Sequence, residues 1–142
     1  MRDIDLAASE FIDTTSKVLL SKQVYEDGWN AKEIIAHIVF YHGYYSRVVK
    51  AIVEKKELPL INESLAKVNL ESAEEYSKLS REKLLQRFKA SHKVLMNNIS
   101  KLDKSTIIPY KAGGSVYTPE TYIDVIAGHI MKHTKDLKRR SH

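Results

Sequence analysis

Cysteine is absent from this chain, which excludes disulfides, a thiol nucleophile and thiolate metal ligands. Glycine and proline are scarce, at five and three residues, so no Gly/Pro-rich linker divides the chain and one domain over residues 1–142 is expected. No apolar run approaches the roughly 18–20 residues of a membrane span; "VLL" and "HIVFYHGYY" are far too short. The opening "MRDIDLAASEF" carries acids where a signal peptide has a basic region, so a cytoplasmic address is expected. No Ser-His-Asp order and no dinucleotide fingerprint appears, and "KAGGSVY" lacks both Walker spacing and a preceding strand. Any transition-metal site must therefore be built from His, Asp and Glu.

The net charge is +5, part of it in the C-terminal run "KDLKRRSH". Basic tails can neutralise nucleic-acid phosphates. Elsewhere, however, Lys and Arg alternate with acids, as in "EKKE" and "SREKLLQRFK", the pattern of a solvated helix face. Basic residues near a helix C-terminus also favour the macrodipole without any partner. The pattern argues against nucleic acid as a partner, as the lack of a long apolar run argues against a membrane span.

Four segments have helical periodicity. The first covers about residues 2–22, with Ile4, Ala8, Phe11, Ile12, Thr15, Val18 and Leu19 on one stripe. The second starts at "WNAKE", where Asn30 and Glu33 form a capping-box pattern, and runs to about Lys56, before Pro59. Its stripe is Ile34, His37, Ile38, Tyr41, Tyr45, Val48 and Ile52. Trp29, just before the cap, is placed for a hydrophobic staple. The stretch Leu60–Lys78 has sparse apolar positions and room for a short helix near "SLAKVNLESAEEY". The third long helix follows Ser80, with Leu84, Leu85, Phe88, His92, Leu95, Met96, Ile99 and Leu102 on one face. "IIPYKAGGSVY" then breaks the pattern and suits a loop or small hairpin. The fourth helix opens with Thr118 as N-cap and Pro119 at the first helical position. Its stripe is Tyr122, Val125, Ile126, His129, Ile130, His133 and Leu137. Long amphipathic helices without a strong strand predict an all-α four-helix bundle. Wide apolar stripes on the first and third long helices suit a homodimer.

Three of the six histidines, His37, His129 and His133, fall on inward stripes. Residues four apart on a helix project side by side, so His129 and His133 can offer two nitrogens to one ion. A His from a facing helix would supply a third and leave coordination positions open. Three imidazoles suit Zn, Ni, Fe or Mn. The spacing equally admits buried neutral imidazoles bonded to carbonyls. His92, also on an apolar stripe, reads as a packed or pocket-lining residue. His42 lies on a different face from His37, with packing or a surface hydrogen bond as its role, and His142 is the terminus.

The stretch "GWNAKEIIAHI" resembles the start of the second helix in the DinB-like superfamily, and "VIAGHIMKHTKDLKR" resembles its last helix with an H-x-x-x-H pair. "SREKLLQRFKASHKVLMNNISKL" is similar to its third helix. The resemblance implies a DinB-like four-helix bundle with a metal triad that matches His37, His129 and His133. That superfamily includes mycothiol-dependent maleylpyruvate isomerases and bacillithiol transferases, which use a divalent metal to activate a low-molecular-weight thiol. The resemblance thus implies a divalent transition metal as cofactor and a small thiol as cosubstrate.

Two functional classes fit this reading. One is a metal-dependent enzyme of thiol transfer or of hydrolysis and detoxification; the other is a non-catalytic bundle that binds or sequesters a small molecule. Tyr41, Tyr45, His92 and Tyr122 are the expected substrate-pocket residues. Glu33, one turn before His37, can act as a cap or orient the second ring nitrogen of His37. No catalytic residue is singled out.

Overall fold

The computed structural model describes residues 3–25 and 28–140; His142 lies outside them. The element order is α1 (Ile4–Lys17), α2 (Ala31–Val53), α3 (Leu65–Tyr76), α4 (Arg81–Ile99), β1 (Ile108–Pro109), β2 (Val116–Tyr117) and α5 (Pro119–Arg140). The described residues are mostly helical, with five helices against the four long periodic segments of the sequence. The additional one, α3, occupies the sparse stretch after Pro59. It is capped by Ser64, whose hydroxyl accepts from Lys67 N, and it buries only Val68, Ser72 and Ala73. The only sheet among the described residues is the antiparallel β1–β2 hairpin, with Ile108 paired to Tyr117 and Pro109 to Val116.

The capping signals act where the sequence puts them. The Asn30 side chain accepts from Glu33 N at 2.9 Å, while Glu33 Oε1 accepts from Asn30 N at 3.2 Å, closing the capping box of α2. Ser80 starts α4 with a single cap, its hydroxyl accepting from Lys83 N. The first helix is shorter than its periodicity suggested. It stops at Lys17 because Val18 turns extended (ψ 147°), and Leu19, expected inside, is 62% exposed. The extended chain instead lets Val18 and Val24 reach the core. The second helix ends at Val53, three residues early, in a Schellman turn: Lys56 N donates to Ala51 O and Lys55 N to Ile52 O. Lys55 holds the left-handed position with φ 57°.

α2 is apolar almost all round and is the central helix, packing on α4, α3 and α5. α1 packs against α5 and α4 and closes the other side. The core runs along α2 from Ile34 through Ile38 and Tyr45 to Val49, met by Phe11, Phe88, Leu95, Ile126 and Ile130. No described helix is long and apolar enough to cross a membrane. This packing determines the site. Because α2 is buried on opposite faces, its histidines at 37 and 42 point into different parts of the interior.

Candidate metal centre

On α5 the fully buried positions include Tyr122, Ile126, Ala127, Ile130 and Leu137, whereas Val125, His129 and His133 form the neighbouring, half-buried ridge. The two imidazoles therefore stand at the edge of the core rather than in its centre. His37 faces them from α2 and is buried, with 6% exposure. The three rings pack edge to face, with centroids 4.8–5.1 Å apart. One nitrogen from each lies within 4.8 Å of the other two, and His37 Nε2 is 3.0 Å from His129 Nε2.

The donor set fits an ion. Two imidazole nitrogens held at 2.0–2.1 Å from one ion, at tetrahedral or octahedral angles, lie about 2.8–3.4 Å apart, and the observed pair falls in that range. All three imidazoles are kept neutral, the form that ligates. Burial lowers His37 to about 3, helped by its two partners and Lys132. Burial, with His133 and Lys132, lowers His129 to about 4. Burial and Lys132 lower His133 to about 4, and the Asp136 carboxylate pulls the other way. Among the described residues no carbonyl or carboxylate is bonded to either nitrogen of the His37–His129 pair, so a cation could take the place of the one proton they share.

The surroundings are partly those expected. Tyr41 packs its ring on His37 and His129, at 5.0 and 6.0 Å, but its hydroxyl is taken up by Asn69 Oδ1 of α3 at 2.6 Å. A cavity of about 380 Å³ opens onto His129, lined among others by Tyr45, Tyr110, Lys111, Tyr117 and Val125. The Tyr45 and Tyr110 hydroxyls are 3.1 Å apart. Tyr122 is not part of this lining; it is fully buried behind Tyr45, with its hydroxyl unpaired.

His92 is elsewhere. Its Nε2 meets Asp5 Oδ1 at 2.8 Å and its Nδ1 meets His42 Nε2 at 3.0 Å, on the α1–α4 side of α2. The pocket role expected for His92 gives way to this chain, because α4 packs on the face of α2 that carries His42. His42 is no surface residue either: it is 1% exposed and stacked on Phe88 at 4.4 Å. Glu33 does not orient His37, since its carboxylate is used in the capping box and His37 Nδ1 is buried without a partner.

Sequence periodicity missed the loop between α1 and α2. Trp29 lies against His37, with ring centroids 5.1 Å apart, and Tyr25 places its hydroxyl 3.3 Å from His133 Nδ1 and 2.6 Å from Asp136 Oδ2. Gln23 holds this loop by donating from Nε2 to the carbonyls of Tyr25 and Gly28. The hairpin residues Tyr110, Lys111 and Tyr117 were missed for the same reason. Irregular segments carry no period to read.

Helices converging three neutral imidazoles beside a cavity define a helical protein with a candidate three-histidine metal centre. The family model of the DinB superfamily matches residues 8–137, and the chain belongs to that superfamily. Its fold is similar to the crystal structure of the mycothiol-dependent maleylpyruvate isomerase, with a TM-score of 0.76 at 17% identity. A variant of that isomerase with one histidine replaced by alanine gives a TM-score of 0.76 at 16% identity. Each match covers 94% of this chain and 57% of the other, so the chain spans little more than half the isomerase's length. None of the curated proteins matches the sequence.

Proposed function

We propose that this protein is a divalent-metal-dependent enzyme acting on a small molecule, by thiol transfer or hydrolysis, with His37, His129 and His133 as the metal ligands. The observation that carries the reading is the gathering of one nitrogen from each of three neutral imidazoles within 4.8 Å of one another, with His129 also lining an adjoining cavity. Within the DinB-like fold we group α1, α2, α4 and α5 as the four-helix bundle, with α3 as a flanking addition. Three imidazoles suit Zn, Ni, Fe or Mn and leave positions open for a substrate. When bound, such an ion supplies Lewis acidity that eases loss of a proton from a small thiol or a water.

The remaining work falls to the chain's own residues. Tyr45 and Tyr110 line the cavity with paired hydroxyls that can donate to a substrate oxygen. Lys111, whose Nζ donates to Glu63 O, brings a cation to the same wall. Trp29 and Tyr41 cover His37 on two sides and exclude water from it. A thiol as cosubstrate is supported by the mycothiol dependence of the similar isomerase, and it agrees with a chain that has no cysteine of its own.

Metal analysis of untagged protein tests the reading, with about one ion per chain expected. Incubation of the loaded protein with a small thiol and an electrophile should then consume both. Protein that holds no ion at micromolar concentration would overturn the metal site. An ion held without any turnover, alongside saturable binding of a small molecule, would favour the non-catalytic binding bundle. We extend the proposal to a homodimer, supported by Leu6 and Met131, 56% and 44% exposed on the packed helices α1 and α5. Light scattering at a monomer's mass over a wide concentration range would overturn that assembly.

A further inference from the structure

The loop between α1 and α2 reaches one metal-site histidine through a hydroxyl, and a count of protons fixes the direction of that contact. Tyr25 Oη has a single proton, and it is donated to Asp136 Oδ2 at 2.6 Å. Towards His133 Nδ1, 3.3 Å away, the same oxygen can only accept. His133 must then carry its proton on Nδ1, which leaves Nε2 with its lone pair as the nitrogen able to ligate. Asp136 is three residues after His133 on α5, so one tyrosine oxygen bridges neighbouring turns of the helix. The carboxylate is 14% exposed, and its other oxygen accepts from Arg139 at 3.4 Å.

We infer that Tyr25 and Asp136 are positioning residues for the metal centre: they hold His133 in the Nδ1–H tautomer, with Nε2 presented for ligation. The inference rests on the metal-site reading above. Ligating histidines are commonly oriented by an acceptor at the other ring nitrogen, and losing that acceptor typically weakens metal binding by about 10–100-fold. Here the acceptor is a phenol oxygen made more basic by the carboxylate to which it donates. The contrast with His37, whose Nδ1 has no partner, makes His133 the ligand whose orientation the protein sets.

The test uses the 142-residue chain without a tag, as wild type, Tyr25→Phe and Asp136→Asn. Long-range proton–nitrogen NMR correlations of metal-free protein at neutral pH report the tautomer of His133 directly. Cobalt titration followed by its visible bands reports affinity and ligand geometry. The expected result is an Nδ1–H His133 in the wild type that shifts towards Nε2–H in Tyr25→Phe, with cobalt binding weakened about 10–100-fold. The melting temperature of the metal-free variants should stay near that of wild type, separating orientation from folding. An Nε2–H tautomer in the wild type, or cobalt affinity unchanged in both variants, would overturn the inference while leaving the metal site standing. Wild-type protein that binds no cobalt would instead remove the reading on which it rests.

Discussion

Two histidine clusters flank α2, built from the same residue type and at similar depth, yet they are wired differently. In the Asp5–His92–His42 cluster every facing pair can be assigned one donor and one acceptor. Asp5 accepts from His92 Nε2–H, so His92 Nδ1 accepts from His42 Nε2–H. The chain is linear, each shared proton is accounted for, and the one lone pair left over, His42 Nδ1, is buried without a partner. In the His37–His129–His133 cluster one nitrogen from each ring lies within 4.8 Å of the other two, His37 Nε2 and His129 Nε2 pair at 3.0 Å, and the Tyr25 hydroxyl adjoins His133 Nδ1. A histidine pair at hydrogen-bond distance therefore does not mark a metal site. What sets the second cluster apart is a third imidazole nitrogen gathered beside the pair, so that three donors lie together.

Substitution of His133 by Ala should give the largest separation of the two clusters. Loss of a ligand should weaken metal binding well beyond the ~10–100-fold typical of outer groups, and metal analysis should find the variant nearly free of ion. The helical circular dichroism should remain, because His133 stands at the edge of the core. A variant that retains the ion would erase the distinction between the clusters.

Acid should act on both clusters at once. His37 and His42 are lowered to about 3, and His129 and His133 to about 4, in each case chiefly by burial. Their unfolded value is 6.5, so between 6.5 and about 4 the unfolded chain binds more protons than the folded one. Stability of the metal-free protein should then be full above pH 6.5 and fall by several kcal/mol as pH drops towards 4, measured by denaturant melts. The same shifts delay protonation of the folded site, so bound metal should persist below the ordinary histidine range. Added metal should flatten the acid loss in the wild type and fail to do so in the His133→Ala variant.

His42→Ala should show the opposite pattern to His133→Ala. Removing a ring stacked on Phe88 in the core should cost about 2–5 kcal/mol, while metal stoichiometry stays at the wild-type value. Loss of metal from a folded His42→Ala protein would mean that the two faces of α2 are coupled. The smallest effect belongs to a control remote from both clusters. Lys55→Gly removes a side chain from a left-handed position and should raise stability by up to about 1 kcal/mol, with metal affinity unchanged.

What the sequence determined by itself is mostly local. Asn30 with Glu33, Ser80, and Thr118 before Pro119 mark helix starts that the structure keeps, because a cap needs only residues within one turn. The i, i+4 relation of His129 and His133 is likewise a property of one helix, and the stripe on α2 puts His37 and His42 on different faces. Tertiary structure decided which stripe meets which. It sent His92 to Asp5 and His42, put Tyr122 behind Tyr45 rather than in the cavity, and ended α1 at Lys17 so that Val18 and Val24 could pack. It also carried Tyr25 and Trp29 from one loop, and Tyr110 and Lys111 from a hairpin, to within reach of the imidazoles. Those contacts join residues up to 108 positions apart, through segments with no repeating geometry. Periodicity reports which face a residue occupies, but only packing decides what that face meets.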